Sequence, residues 1–525
     1  MANSAGPYIL GSDLGTSGCK SIVMDAQGSI LGWAIESYPT ESLYPGWAEQ
    51  NPQDWYAAFC NTTRRAISKA GIDPAEIAVV CIVGITHNAV LLDRQERVLR
   101  PSIIYTDIRS VSQTEAILER WGGQVFERTW NMAGPLWTWP QLMWVREHEP
   151  EIWKQVHRIL FPKDYVRNLI APSFLSDPID PVGSLLFDPI RQCWIPEFIE
   201  TLGLTEAALP PLSPVTQIVG RITAEAAEKS GLRPGTLVAT GTTDTAAEVF
   251  GVGAQKCGQA IIKLATVGRI MAVSDKPLPS PAFLNYPFVL PGYWYPGTST
   301  KFAASAFNWV RRAFWSVDEE DGIYDIMDQD AGSIPPGSGG LLFHPYLAGE
   351  FAPAWDPYLR ASFLGIGRDH NRSHFTRAVM EGVGFSLRDA LESVIEMGLS
   401  INEIRLIGGG SESRIWSQIM ADIINREIAV PVGNDAAFGA ALLGGVAVGI
   451  FDSSPETISR LIHFRSHHSP DPDSVVLYDQ LFSIYKEAAR ATQQVSHKLH
   501  DFQTHLRAGC SQASSERENA NNLSM

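Results

Sequence analysis

Residues 8–31 read YILGSDLGTSGCKSIVMDAQGSIL, and the order of elements in this stretch decides the fold. Tyr8–Leu10 has the apolar character of a buried strand. The chain then passes Asp13 and enters a turn rich in glycine, threonine and serine. A glycine-rich turn after a strand suggests phosphate binding, but the dinucleotide fingerprint requires a helix directly after the glycines. Here CKSIVMD follows, β-branched and alternating, then a DAQG turn and a further strand-like run, SILGWAIESY. The stretch predicts a three-stranded meander with a polar tip, and it argues against a nicotinamide dehydrogenase.

The composition of the tip points to phosphate. Glycines at 11, 15 and 18 let backbone N–H groups approach oxygen atoms, Thr16 and Ser17 add hydroxyl donors, and Lys20 adds charge. Asp13 can only accept, which suits Mg²⁺ or its waters. The competing reading is an ordinary hairpin turn in which Asp13 bonds its own backbone. Residues 254–273, AQKCGQAIIKLATVGRIMAV, repeat the theme: a strand at Ala260–Leu264, a small polar turn containing Thr266, and a second strand. Two such devices about 250 residues apart predict an internal duplication and two related lobes with a cleft between them.

The 525 residues exceed one core, so two domains are expected: 7–253, 256–497, and a polar tail over 498–525 without regular structure. A net charge of −16 disfavours nucleic acid and anionic membrane as partners. Six scattered cysteines without a C-x-x-C pair read as free thiols of a reducing compartment. No basic-then-apolar leader opens the chain and no apolar run reaches membrane length, so the expected location is cytoplasmic.

Further along, a helix is expected from Pro52 with Asn51 as its cap. GITHNAVLLD places His87 and Asn88 at a strand break; with Tyr105 and Asp107 of IIYTDIR they supply the mixed donors and acceptors that a polyhydroxylated ligand needs. The aromatics Trp47, Tyr105, Trp137 and Trp139 are core residues by default, with one or two free to stack on a sugar face. ATGTTDTAAEVF puts Asp244 at a helix start, where it is either an N-cap or a general base. Gly408–Gly410, after the strand IRLI, offers bare backbone to a purine and ribose, or simply a tight connection.

Taken together these segments resemble the FGGY carbohydrate kinases, and among them the xylulokinase-like pentulose kinases, over residues 8–499. DLGTSGCK resembles the family's first phosphate loop, GWAEQNPQDWY a stretch typical of xylulokinases, and FPKDYVRNLIAPSFLSDPIDPVGSLLFD the central segment. Residues 361–381 fit the longer of the family's two sequence patterns, and IGGGSESRIWSQIMADI resembles its adenosine loop. The resemblance implies an α/β protein of two ribonuclease-H-like, actin-like lobes binding MgATP and sugar. It places Asp13 at Mg²⁺, and Thr16, Ser17 and Thr266 at phosphates, with Lys20 beside the first turn. Gly409, Gly410 and Ser411 fall at the adenosine, His87, Asn88 and Tyr105 at the sugar, and Asp244 as the base.

Several positions depart from the family pattern. Ala265 and Val267 flank Thr266 where Gly-Thr-Ser is usual; Gln141 replaces a lysine, Phe351 an arginine, and Ala303 and Ala304 glycines. THNA stands for MHGA, and Tyr105 for tryptophan. The last two lie at the sugar end, where substrate identity is set. The expected activity is ATP-dependent phosphorylation of a terminal hydroxyl of a small sugar, a ketopentose such as D-xylulose. The competing reading keeps the fold and makes the chain an actin-like ATPase switch or a sugar or nucleotide sensor. An intact Asp13, Asp244 and sugar-facing set favours the kinase. The assembly is left open, a homodimer included.

Overall fold

The computed structural model of the chain describes residues 6–278, 280–315, 322–433 and 435–522, with side chains through Thr504. It divides into two compact units. In the first, β1 (Tyr8–Leu14), β2 (Gly18–Met24) and β3 (Ile30–Ser37) form the meander the sequence predicts. Helix α1 (Pro52–Ala70) follows, and Asn51 accepts the Gln53 N–H at 3.1 Å as its cap. β4 (Ile77–Gly84), helix α2 (Pro162–Ile170), β5 (Ile218–Arg221), β6 (Leu237–Ala239) and helix α3 (Asp244–Gly251) complete this part. The sheet order is β5-β6-β4-β1-β2-β3.

β1 is antiparallel to β2 and parallel to β4, which is in turn parallel to β6. Central strands covered on both faces carry near-continuous apolar runs, and β4, IAVVCIVG, is of this kind. β3 lies at the edge and alternates, leaving Trp33 and Ile35 exposed. Trp55 and Phe59 of α1 are fully buried in the core shared with Leu10, Val23 and Val80.

The second unit repeats the plan. β7 (Gln259–Leu264), β8 (Gly268–Ala272), β9 (Gly297–Thr300), β10 (Glu403–Ile407), β11 (Ile428–Pro431) and β12 (Phe464–His468) line up as β9-β8-β7-β10-β11-β12. Its helices are α4 (Ala304–Phe314), α5 (Arg372–Glu396) and α6 (Arg414–Ile424). A three-stranded meander whose first strand pairs in parallel with the next is thus present twice, as the two hairpins foretold. This is the pair of ribonuclease-H-like lobes expected of an actin-like α/β fold.

The units interleave more than a single cut after residue 253 would give, because 272–296 and 431–463 belong with the first. The second of these carries helix α7 (Ala436–Ala447), which packs on β1 and α3. A Cβ on Gly11 would lie 2.2 Å from the Ala437 carbonyl, and one on Gly439 1.9 Å from the Ala247 carbonyl. Only glycine permits that approach. The expected irregular tail is corrected: the chain from Pro472 is one helix, α8 (Pro472–Asn522). His497 bonds Asp356 at 2.7 Å and His500 meets Arg360, so docked side chains carry the helix past 498. Residues 523–525 lie outside the described residues. No helix among the described residues is long and apolar enough to cross a membrane.

Candidate active site

In open sheets with parallel strands, ligands bind beyond the carboxyl ends of the strands. In the first unit those ends belong to β1, β4 and β6, and they are knitted together. The Ile85 N–H donates to the Leu14 carbonyl at 3.0 Å and the Gly84 N–H to the Thr242 carbonyl at 3.3 Å. The segments immediately beyond are the 15–17 turn, residues 85–88 and residues 240–244, which hold Thr16, Ser17, His87, Asn88 and Asp244.

Asp244 is not the N-cap of its helix. Thr243 does that work, accepting the Ala246 N–H at 3.3 Å. One Asp244 oxygen accepts the Thr245 N–H at 2.5 Å and the Thr245 hydroxyl at 3.0 Å. Tyr38 reports on both acids: burial pushes its phenol far up, and Cys19, Asp13 and Asp244 add to the push. Among the described residues no cluster of three or more His, Cys, Asp or Glu could cage a metal. Mg²⁺ keeps several waters and takes one or two carboxylates plus phosphate oxygens, and Asp13, an acceptor-only group beside the first turn, fits that pattern.

Asn88 is fully buried, and neither its amide oxygen nor its nitrogen has a hydrogen-bond partner among the described residues. His87 stands beside it with a positive φ of 72°. Trp137 stacks on the His87 ring at 4.4 Å, and the Tyr286 hydroxyl meets His87 Nε2 at 2.6 Å. Tyr286 stacks in turn on Tyr295 at 5.7 Å, whose hydroxyl lies 3.4 Å from that of Thr243. Burial raises the Tyr295 phenol, the Thr243 bond opposes this, and Asp244 raises it again.

Trp137 is thus the aromatic that reaches this site. Trp139 is core, stacked on Phe198 at 4.6 Å, and Trp47 covers the Arg109 guanidinium at 3.7 Å. Sequence reasoning missed Tyr286 and Tyr295. Their segment, FLNYPFVLPGYWYP, has no periodicity, and its density of aromatics is the one signal it offers. Asn285 fixes it: its N–H donates to Asn131 Oδ1 at 2.9 Å, and Asn131 Nδ2 donates back to its carbonyl at 3.0 Å.

A second missed feature lies beneath these loops. Lys163, Asp164, Arg167, Asp177 and Asp180 are all fully buried. Lys163 Nζ meets Asp164 at 2.6 Å, Asp177 at 2.9 Å and Asp180 at 3.4 Å. Burial works against the Lys163 charge, but the three carboxylates together hold its proton more tightly than usual. Burial likewise drives the Asp180 carboxyl well up, against the pull of Lys163 and with the push of Asp164 and Asp177. The cluster grips the approach to Asp244. Asp177 accepts the Thr242 hydroxyl at 3.0 Å, and Arg167 donates to the Thr240 carbonyl at 2.9 Å.

The first turn is clamped from behind, with Gln50 Nε2 donating to the Thr16 carbonyl at 2.7 Å and Tyr38 to that of Gly15. Ser17 is exposed, and the Thr16 hydroxyl lies 3.0 Å from that of Tyr105. Lys20 is drawn to an ion pair with Asp435, which also caps α7 by accepting the Phe438 N–H at 3.0 Å.

In the second unit Thr266 is exposed at the tip of its turn. Ala303 and Ala304 donate their N–H groups to the carbonyls of Thr266 at 3.2 Å and Ala265 at 2.8 Å, seating the start of α4 on that turn. A Cβ on Gly409 would meet nothing within 4 Å, so this backbone is open to a ligand. Gly410 instead backs onto Leu264, 2.8 Å from the position its Cβ would take. Ser411 is 2% exposed and donates its hydroxyl to the Gly408 carbonyl at 2.7 Å. Of these three, Gly409 presents open surface, and the other two shape the turn.

Comparisons with known proteins place the chain in a family. Residues 8–251 match the model of the N-terminal domain of the FGGY family of carbohydrate kinases, and residues 260–448 that of its C-terminal domain. A xylulose kinase of Lactococcus lactis is 31% identical over 501 residues, 94% of this chain and 99% of that protein. A gluconokinase of Bacillus subtilis is 29% identical over 509 residues, 95% of this chain and 99% of that protein. The crystal structure of a xylulose kinase from Rhodospirillum rubrum superimposes with a TM-score of 0.85 at 25% identity, covering 93% of this chain and 100% of that one. The chain belongs to the FGGY family of carbohydrate kinases and is an ATP-dependent sugar kinase.

Proposed function

We propose that the protein transfers the γ-phosphoryl group of ATP to a terminal hydroxyl of a ketopentose of the D-xylulose type. The observation that carries this reading is Asn88. A fully buried amide with both polar atoms unpartnered is costly, and hydroxyls of a sugar beside it remove that cost. The aromatic wall of Trp137, His87 and Tyr286 supplies apolar surface for the C–H face of such a ligand. Xylulose kinases at about one-third identity over nearly the whole chain support the choice of sugar.

In this reading Asp244, freed from capping, accepts the hydroxyl proton as the sugar oxygen attacks phosphorus in line. Thr16, Ser17 and the backbone of the first turn take phosphoryl oxygens, as Thr266 does in the second unit, and Gly409 lies against the adenosine. Asp13 would hold Mg²⁺, and the bound cation would neutralise charge on the phosphates. Lys20, already paired with Asp435, supports the start of α7.

The test is ADP formation with MgATP against D-xylulose, D-ribulose, L-xylulose, glycerol and D-gluconate. Turnover highest on a ketopentose supports the assignment. Preference for D-gluconate moves the substrate to the acid that the gluconokinase relative is named for. ADP release independent of any sugar replaces the kinase reading with an ATPase.

A further inference from the structure

Tyr105 is linked to the phosphate turn more closely than a sugar-contact residue needs to be. Its hydroxyl lies 3.0 Å from Thr16 Oγ1, 89 residues away in sequence. Two hydroxyls at that distance share one hydrogen, and either oxygen is able to donate. Two facts select the direction. A phenol is more acidic than an alkyl hydroxyl and is the stronger donor, and an anion at the turn requires the Thr16 hydrogen for itself.

Both partners are held in place. Gln50 and Tyr38 fix the turn from behind through the Thr16 and Gly15 carbonyls. On the other side, Asp107 accepts the Ala48 N–H at 2.6 Å and the Arg109 guanidinium at 2.7 Å, and the Ile104 N–H donates to the Ala48 carbonyl at 3.1 Å. Arg109 also reaches Glu49 at 2.6 Å and lies under Trp47. This network anchors residues 104–109, so the phenol approaches Thr16 on a rigid loop.

We propose that Tyr105 is a positioning residue for phosphoryl transfer: its O–H donates to Thr16 Oγ1 and thereby commits the Thr16 O–H to a phosphoryl oxygen. The proposal rests on the kinase reading above, in which this turn holds phosphate. Hydrogen bonds in a chain polarise one another, so the Thr16 donor strengthens as charge grows on the phosphoryl oxygens. The benefit therefore appears in kcat more than in either KM.

The experiment is a double-mutant cycle on the full chain with the preferred sugar. Tyr105→Phe removes only the phenolic oxygen; kcat should fall about tenfold with the KM of sugar and ATP little changed. In a Thr16→Val background the same change should cost nothing further, whereas in Thr16→Ser, which keeps the hydroxyl, the tenfold loss should persist. Should Thr16→Val turn over too slowly to read, affinity for ADP with aluminium fluoride decides: Tyr105→Phe should weaken it about tenfold while ADP alone binds as in the wild type. The proposal is overturned by wild-type kcat in Tyr105→Phe, by equal losses in the Thr16→Val background, or by a loss confined to the sugar KM, which would make Tyr105 only a ring against the sugar. An active wild type with any of these results leaves the kinase reading intact. A wild type without sugar-dependent ADP formation overturns that reading and this one together.

Discussion

Asp244→Asn keeps the size of the side chain at the first position of α3, with Thr243 still capping the helix, and removes the base. General-base catalysis is worth roughly 10²–10⁴ in rate, so kcat should fall by that range while ATP affinity, read by calorimetry, stays at the wild-type value. Asn88→Ala tests the sugar side. Losing hydrogen bonds made inside a buried pocket costs about 1–3 kcal/mol, so the sugar KM should rise on the order of tenfold to a hundredfold, with the KM of ATP unchanged in the same steady-state assay. At this scale the sequence is legible where a residue type has one chemical use. Asp13 and Asn88 are singled out by acceptor-only and amide chemistry beside a turn, and Asp244 by the family resemblance. Spacing alone favours the cap for Asp244, because the neighbour that takes that role is another capping residue, Thr243. Lys20, a cation beside a phosphate-type turn, pairs with Asp435, 415 residues away, and no local pattern contains that partner.

Among the elements, α7 ties the first meander to the helix that carries Asp244. Its small residues let it lie on β1 through Gly11 and on α3 through Gly439. Gly439→Ala would place a methyl group 1.9 Å from the Ala247 carbonyl. Forcing volume into such a contact costs about 1–3 kcal/mol, and the expected result is a melting temperature several degrees lower by calorimetry, with kcat reduced because α3 shifts. A melting curve identical to the wild type would show that the helices separate freely. Strand–turn–strand hairpins and AAFGAALLGGVAVG are legible because each carries its pattern within a dozen residues. Residues 272–296 are not: their place in the first unit is set by Asn131–Asn285 bonds and ring stacking across long sequence gaps. The last helix was misread past 498 because its polar sequence looks unanchored, whereas Asp356 and Arg360 hold His497 and His500.

The molecule as a whole is one meander-and-crossover plan used twice, and that duplication is written in two turns about 250 residues apart. Its pH response has a clear source in the second unit. Burial pushes the Glu350 carboxyl up to about 7, against the N–H groups of Lys301 and Phe351 and the Ser386 hydroxyl, which favour its charged form. The folded state therefore keeps a proton that the unfolded chain releases near its ordinary value of 4.5. Stability is expected to fall as pH rises from about 4.5 to about 7 and then to level off, by an amount on the order of 3 kcal/mol. Glu350→Gln should flatten that slope in melting temperatures taken across this range, and an unchanged slope would assign it elsewhere. The most direct test of the central claim is phosphorus NMR of MgATP incubated with D-xylulose and the purified protein, with Asp244→Asn alongside. A sugar phosphomonoester resonance growing in step with ADP, absent with the variant, is the result expected of the kinase described here. Inorganic phosphate in place of the ester, at the same rate with and without sugar, would contradict it.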